Sequence, residues 1–167
     1  KRATQVVDQS TDEVSTTTPP RLSIHSESAS VPLPLLGRVA AGRPIEAVLH
    51  QETLDIPLSM LRGPAQSHFV LQVKGDSMLD DGILDGDFVV IKKAAHAQNG
   101  QTVVALLNNE ATLKKFFKTA DHIELRPANP AYAPFIVPTR TGSDPSLDFR
   151  IEGICTGLIR KLDPFGL

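Results

Sequence analysis

Seven short runs of apolar, β-branched and aromatic residues constrain this chain more than any other feature. They fall at residues 69–73, 88–91, 102–107, 111–117, 123–125, 135–137 and 149–159. Gly, Pro, Asn and Asp separate most of them, and strands of this length with such punctuation predict an antiparallel, barrel-like all-β domain. No stretch carries the apolar i, i+3, i+4 pattern of an amphipathic helix over three turns, and no repeat recurs at a fixed period. With 41% hydrophobic residues in a chain of 167, one proper core with an appendage is expected rather than two domains.

The appendage is residues 1–30. Eleven Ser and Thr, no Gly and no aromatic leave too little apolar surface there to offset the entropy of ordering, so a flexible linker is expected, followed by the domain at 31–167. Pro32, Pro34 and Pro44 bracket the stretch Leu35-Leu36-Gly37-Arg38-Val39-Ala40-Ala41-Gly42, which reads as extended and loop-like. A single Cys rules out a disulfide scaffold and a thiolate zinc framework. The net charge of −2 lacks the basic signature of a nucleic-acid binder, so any DNA contact must come from elsewhere. No apolar run approaches the roughly 18 residues that a membrane helix needs.

Chemistry concentrates in the segment Lys74-Gly75-Asp76-Ser77-Met78 and its continuation to Asp87. Gly75 frees the backbone for a tight turn, a setting in which N–H groups converge on one spot beside a serine hydroxyl. On local sequence, Asp76 or Ser77 serves equally well as the cap of a short helix. Five Asp cluster here, but they do not follow the ligand order of a calcium loop; no metal is expected, and Asp85-Gly86 reads as a turn before the next strand. A nucleophilic Ser77 needs a base. The histidines are scattered at 25, 50, 68, 96 and 122, and the alternative is a lysine kept neutral by burial. Residues 110–117 offer two. Strand alternation puts Thr112, Lys114 and Phe116 on one face and Ala111, Leu113, Lys115 and Phe117 on the other, so one lysine faces inward, and the spacing does not say which.

Taken in order, three segments resemble the LexA repressor family, self-cleaving serine peptidases of the bacterial SOS response. They are Gly37-Arg38-Val39-Ala40-Ala41-Gly42, Gly75-Asp76-Ser77-Met78 with Gly82-Ile83-Leu84-Asp85-Gly86-Asp87, and Glu110-Ala111-Thr112-Leu113-Lys114-Lys115. A fourth, Ile151-Glu152-Gly153 through Gly157-Leu158-Ile159-Arg160, is similar to the family's closing strand. The resemblance implies a LexA-like, signal-peptidase-like fold of short antiparallel strands. It implies Ser77 as nucleophile, Lys114 as general base, and the backbone N–H groups of Asp76 and Ser77 as oxyanion hole. The implied substrate is the chain's own Ala41–Gly42 bond within a cleavage segment at 37–44, where Val39 and Ala40 are recognised. No cofactor is implied.

Family members of the LexA type carry an N-terminal DNA-binding domain, which residues 1–30 cannot form. The expectation is therefore a linker and C-terminal regulatory domain, with operator DNA bound through a domain absent here. The resemblance further implies a cytoplasmic homodimer, paired through residues 149–159, and cleavage stimulated by the RecA filament on single-stranded DNA. UmuD-type polymerase accessory proteins and phage repressors share the peptidase domain; the longer arm and the Ala–Gly bond favour the LexA type over the UmuD type.

Overall fold

The computed structural model describes residues 29–36, 52–108, 110–139 and 147–162. Val39, Ala40, Ala41 and Gly42 lie outside the described residues, as do residues 1–28 of the expected linker.

The described residues form nine strands: β1 (Ser30–Pro34), β2 (Thr53–Pro57), β3 (His68–Gln72), β4 (Phe88–Lys93), β5 (Thr102–Leu107), β6 (Glu110–Lys118), β7 (His122–Arg126), β8 (Phe135–Pro138) and β9 (Phe149–Ile159). The last seven make one antiparallel sheet in the order β3-β4-β9-β5-β6-β7-β8. Among the described residues there is no α-helix, only 3-10 turns at Leu58–Met60, Ala65–Ser67 and Leu79–Asp81. All seven runs marked in the sequence are strands, and the all-β expectation holds.

The long strand β9 curls the sheet. Its first half pairs with β5 and its second half with β4, and a register shift interrupts each ladder, between Val104 and Ala105 on β5 and between Val90 and Ile91 on β4. Bulges of this kind bend a strand and increase its twist. Where the two ladders overlap sits Gly153, opposite both Lys93 and Val104. A Cβ there would lie 2.5 Å from the Lys92 carbonyl oxygen and against Ile91 Cγ2, so no side chain fits the crossing.

Three apolar clusters fill the folds of this sheet. Phe69, Leu71, Met78, Ile83, Val89, Ile91 and Val104 pack beneath the loop that carries Ser77. Val103, Ala105, Phe116 and Leu125 pack between β5, β6 and β7. The third cluster joins Leu33 of β1 and Ile56 of β2 to Val70 and Val90 of the large sheet.

Strands β1 and β2 form a separate antiparallel pair, in register from Ser30 opposite Pro57 to Pro34 opposite Thr53. Leu35 N–H continues that ladder to the Glu52 carbonyl at 2.8 Å, whereas Leu36 N–H points the other way, to Val70 of β3 at 2.9 Å. Strand alternation therefore puts Pro32 and Pro34, which have no N–H, on the edge facing away from β2. The sequence runs did not mark β2, a five-residue strand with an Asp at its centre.

Candidate active site

The loop between β3 and β4 carries Ser77. It is closed at its base by Val73 N–H on the Asp87 carbonyl at 2.7 Å and Gly86 N–H on the Val73 carbonyl at 2.9 Å. Gly75 takes φ +89, a left-handed angle that side chains rarely adopt, and its N–H donates to Asp85 Oδ1 at 2.6 Å. Met78, 2% exposed, roots the loop in the core beneath it. The 3-10 turn that follows starts after Met78 and has no side-chain cap, so neither Asp76 nor Ser77 serves as a helix cap. Their side chains are turned to other partners.

Strand β6 supplies the base candidate. Lys114 is 5% exposed, and Phe116 is buried on the same face. Lys115, on the opposite face, reaches Asp81 at 3.0 Å in a partly exposed ion pair. The pleat thus resolves which lysine turns inward. Lys114 Nζ lies 2.8 Å from Ser77 Oγ, 2.9 Å from Thr112 Oγ1 and 2.9 Å from the Leu113 carbonyl oxygen. All three partners are neutral, and burial without a compensating carboxylate pushes the ammonium below its ordinary value of 10.5. In its neutral form the amine has two N–H bonds and one lone pair. The N–H groups match Thr112 Oγ1 and the Leu113 carbonyl, which leaves the lone pair to accept the Ser77 hydroxyl proton. Such a pair can deprotonate a serine as it attacks a carbonyl.

Contacts from the far side of the site hold the nucleophile turn. Asn129 Nδ2 donates to the Asp76 carbonyl at 2.9 Å, Tyr132 Oη–H donates to Asp76 Oδ1, and Ala128 N–H donates to the Ser77 carbonyl at 2.8 Å. Among the described residues, the N–H groups of Asp76 and Ser77 donate no hydrogen bond, as an oxyanion hole requires of its donors. Ser77, Thr112 and Lys114 line a cleft of about 510 Å³ with Tyr132, Pro134 and Phe135 on its far wall. A smaller pocket of about 130 Å³, walled by Leu71, Val73, Val89, Val104 and Leu113, opens beside Ser77.

Sequence reasoning missed several groups here. Asp87, 2% exposed, accepts from Leu84 N–H at 2.7 Å and from Arg160 at 2.6 and 2.7 Å, and the guanidinium also reaches the Gly82 carbonyl at 2.7 Å. Arg160 lies just beyond β9, so this pair ties the end of the closing strand to the nucleophile loop across 73 residues of chain. Only the fold brings them together. Thr112 was legible, since strand alternation places it beside Lys114. His68 was read as one of several scattered histidines, yet it is buried, with Nδ1–H donating to the Pro64 carbonyl at 2.9 Å. Among the described residues no histidine hydrogen-bonds to Ser77, and no group of three His, Cys, Asp or Glu side chains is placed to hold a metal.

The chain is 52% identical over 128 residues to the LexA repressor of Syntrophotalea carbinolica, covering 77% of this chain and 59% of that protein. It is 47% identical over 136 residues to LexA repressor 1 of Xanthomonas campestris pv. campestris, covering 80% and 63%. The LexA repressor of Caldicellulosiruptor saccharolyticus is 44% identical over 131 residues, covering 78% and 59%. The chain therefore spans about three-fifths of the length of the relatives it matches. The profile of Peptidase S24-like domains matches residues 34–155, a span that holds Ser77, Lys114 and every strand between them, and by that match the chain belongs to the Peptidase S24-like family.

Proposed function

We propose that this chain is the self-cleaving regulatory domain of a LexA-type SOS repressor, and that Ser77 and Lys114 cut its own Ala41–Gly42 bond. The observation that carries the reading is the 2.8 Å contact between Lys114 Nζ and Ser77 Oγ, made by a lysine buried among neutral partners. Ser77 Oγ attacks the Ala41 carbonyl carbon while Lys114 Nζ takes the hydroxyl proton. The Asp76 and Ser77 N–H groups receive the developing oxyanion. Collapse of the tetrahedral intermediate breaks the bond to Gly42 nitrogen, which leaves with the proton from Lys114. Water, deprotonated by Lys114, then hydrolyses the Ser77 ester and releases Ala41 as a carboxylate. Val39 and Ala40 are the recognised neighbours, and the pocket beside Ser77, walled in part by Leu71, Val89 and Val104, suits side chains of that size.

Around this reaction we place a linker at 1–30, the peptidase and dimerisation domain at 31–167, and operator DNA bound by a preceding domain in a longer cytoplasmic repressor. Pairing of two copies through residues 149–159 is supported by the ladder arrangement of β9. Among the described residues, 155–159 pair with β4 on one side only, and the second copy would lie along the other edge of that half-strand. The RecA filament on single-stranded DNA acts by selecting the form in which the cleavage segment is docked, and supplies no catalytic group.

Intact mass after alkaline incubation tests the chemistry. Fragments 1–41 and 42–167 should appear at a rate independent of protein concentration, because the reactants share one chain. A chain that stays whole under these conditions, or one cut equally well with Ser77→Ala, overturns the assignment. Filament with single-stranded DNA should accelerate the same cut at neutral pH, and failure there would leave a self-cleaving domain with different gating.

A further inference from the structure

We infer that the N-terminal product of the proposed self-cleavage stays bound to the rest of the domain, held as strand β1 between β2 and the edge of β3, so that the cut and the release of the fragment are separate steps. This inference rests on the reading that Ala41–Gly42 is the bond that breaks.

The bond falls between the two strands of the small sheet. Ala41 comes seven residues after the end of β1, and Gly42 eleven residues before the start of β2. Hydrolysis there divides the hairpin's connection and leaves both strands whole, with β1 in one product and β2 and β3 in the other. Every described contact that holds β1 crosses that division. Five residue pairs stand in antiparallel register between Ser30–Pro34 and Thr53–Pro57. At one end of the ladder Ala29 accepts from Leu58 N–H at 2.9 Å, and at the other Leu35 donates to Glu52 at 2.8 Å. Leu36 N–H adds the bond to Val70 on the large sheet. Leu33, 1% exposed, is inserted among Ile56, Val70 and Val90, with Val31 and Leu35 packed beside it.

None of these contacts uses the atoms of the scissile bond, so breaking that bond changes only the linkage. What had been docking within one chain becomes association of two, and dissociation then depends on dilution. The arrangement has the form of strand addition, with main-chain bonds for affinity and a side-chain anchor, Leu33, for register.

A nick made without the chain's own chemistry separates this inference from the proposed function. The full chain carrying Ser77→Ala, with the recognition sequence of a site-specific protease inserted between Gly42 and Arg43, is cut to completion and passed over a sizing column in neutral buffer. Both fragments are expected in one peak that separates in denaturant. The N-terminal fragment eluting alone after complete cutting overturns the inference, whatever the wild-type chain does at alkaline pH. Leu33→Asp should release the fragment after the same cut. Should that uncut variant fail to melt cooperatively, Leu36→Pro removes the bond to Val70 together with the Leu36 side chain packed against the Phe69 and Leu71 cluster, and should speed fragment dissociation by about fivefold or more. Retention unaffected by both variants would show that β1 is not what holds the fragment, and would equally overturn the inference.

Discussion

The loop that carries Ser77 and the hairpin that flanks the proposed cleavage segment are held in opposite ways. Directional polar bonds fasten the loop on several sides: Asp85 to Gly75, Asn129 and Tyr132 to Asp76, Ala128 to the Ser77 carbonyl, and Arg160 to Asp87. Strands β1 and β2 bond mainly to each other, and they meet the large sheet through Leu36 N–H and the apolar side chains of Leu33 and Ile56. Reacting groups must be placed to within fractions of an ångström, and hydrogen bonds supply that directionality. Apolar burial is non-directional and lets a strand be held without fixing its every atom.

Removing the reacting groups on the rigid side should have the largest effect. Lys114→Ala should slow cleavage by about 10²- to 10⁴-fold, the range for loss of a positioned base, and Ser77→Ala should abolish it. Because burial lowers the Lys114 pKa, the ammonium gives way to the competent amine at lower pH than for an ordinary lysine. The wild-type rate should therefore climb from neutral pH and level off once the lysine is deprotonated, below 10.5. Lys114→Arg should be silent at every pH. A wild-type rate flat from pH 6 to pH 10 in folded protein, followed by intact mass, would remove lysine from the role of base.

Next comes the clamp between loop and closing strand. Arg160→Met leaves the buried Asp87 carboxylate without its guanidinium partner and should lower the midpoint of urea unfolding. Arg160 holds the Asp87 carboxyl below its ordinary 3.8. The stabilisation from that ionised form is therefore fully present above 3.8 and lost as pH falls through the lower folded value. Wild type and Arg160→Met should converge in stability under acid. A difference that stays constant down to acid pH would mean that the clamp does not act through charge.

Thr112→Val sharpens the comparison on a finer scale, since it deletes one acceptor of the Lys114 N–H groups. Loss of one such bond should slow cleavage about fivefold. The smallest effect belongs to Lys115→Ala, which removes only a partly exposed ion pair and should leave the rate within about twofold of wild type. Equal damage from Lys114→Ala and Lys115→Ala would contradict the division of the two lysines between opposite faces of β6.

How much of this was legible in the sequence follows the same division between local and long-range information. The seven strands of the large sheet were readable because their residue types and punctuation are local. Strand alternation put Lys114 and Lys115 on opposite faces without saying which turns inward, the family resemblance named Lys114, and only the fold shows that the face shared by Thr112 and Lys114 is the buried one. Asp87 and Arg160 both lie in segments that carry the resemblance, but their pairing escaped notice because it spans the loop and the end of β9. β2 escaped because Thr53–Pro57 has no apolar run, and its placement depends on Leu33 and Ile56 meeting Val70 and Val90. For Ala41 and Gly42 the sequence remains the source, since both lie outside the described residues.

The two prolines on the outward edge of β1 bear on what becomes of the protein in a crowded cell. An unpaired strand edge is a template on which another chain can extend a sheet, and repetition of that step leads to fibrils. Pro32 and Pro34 offer no N–H on that side, and the next donor, at Leu36, is already given to Val70. A neighbouring polypeptide laid along residues 32–36 would find acceptors without a free donor and could not complete a ladder there. The small sheet thus gains no third strand along the Pro32–Pro34 stretch of β1.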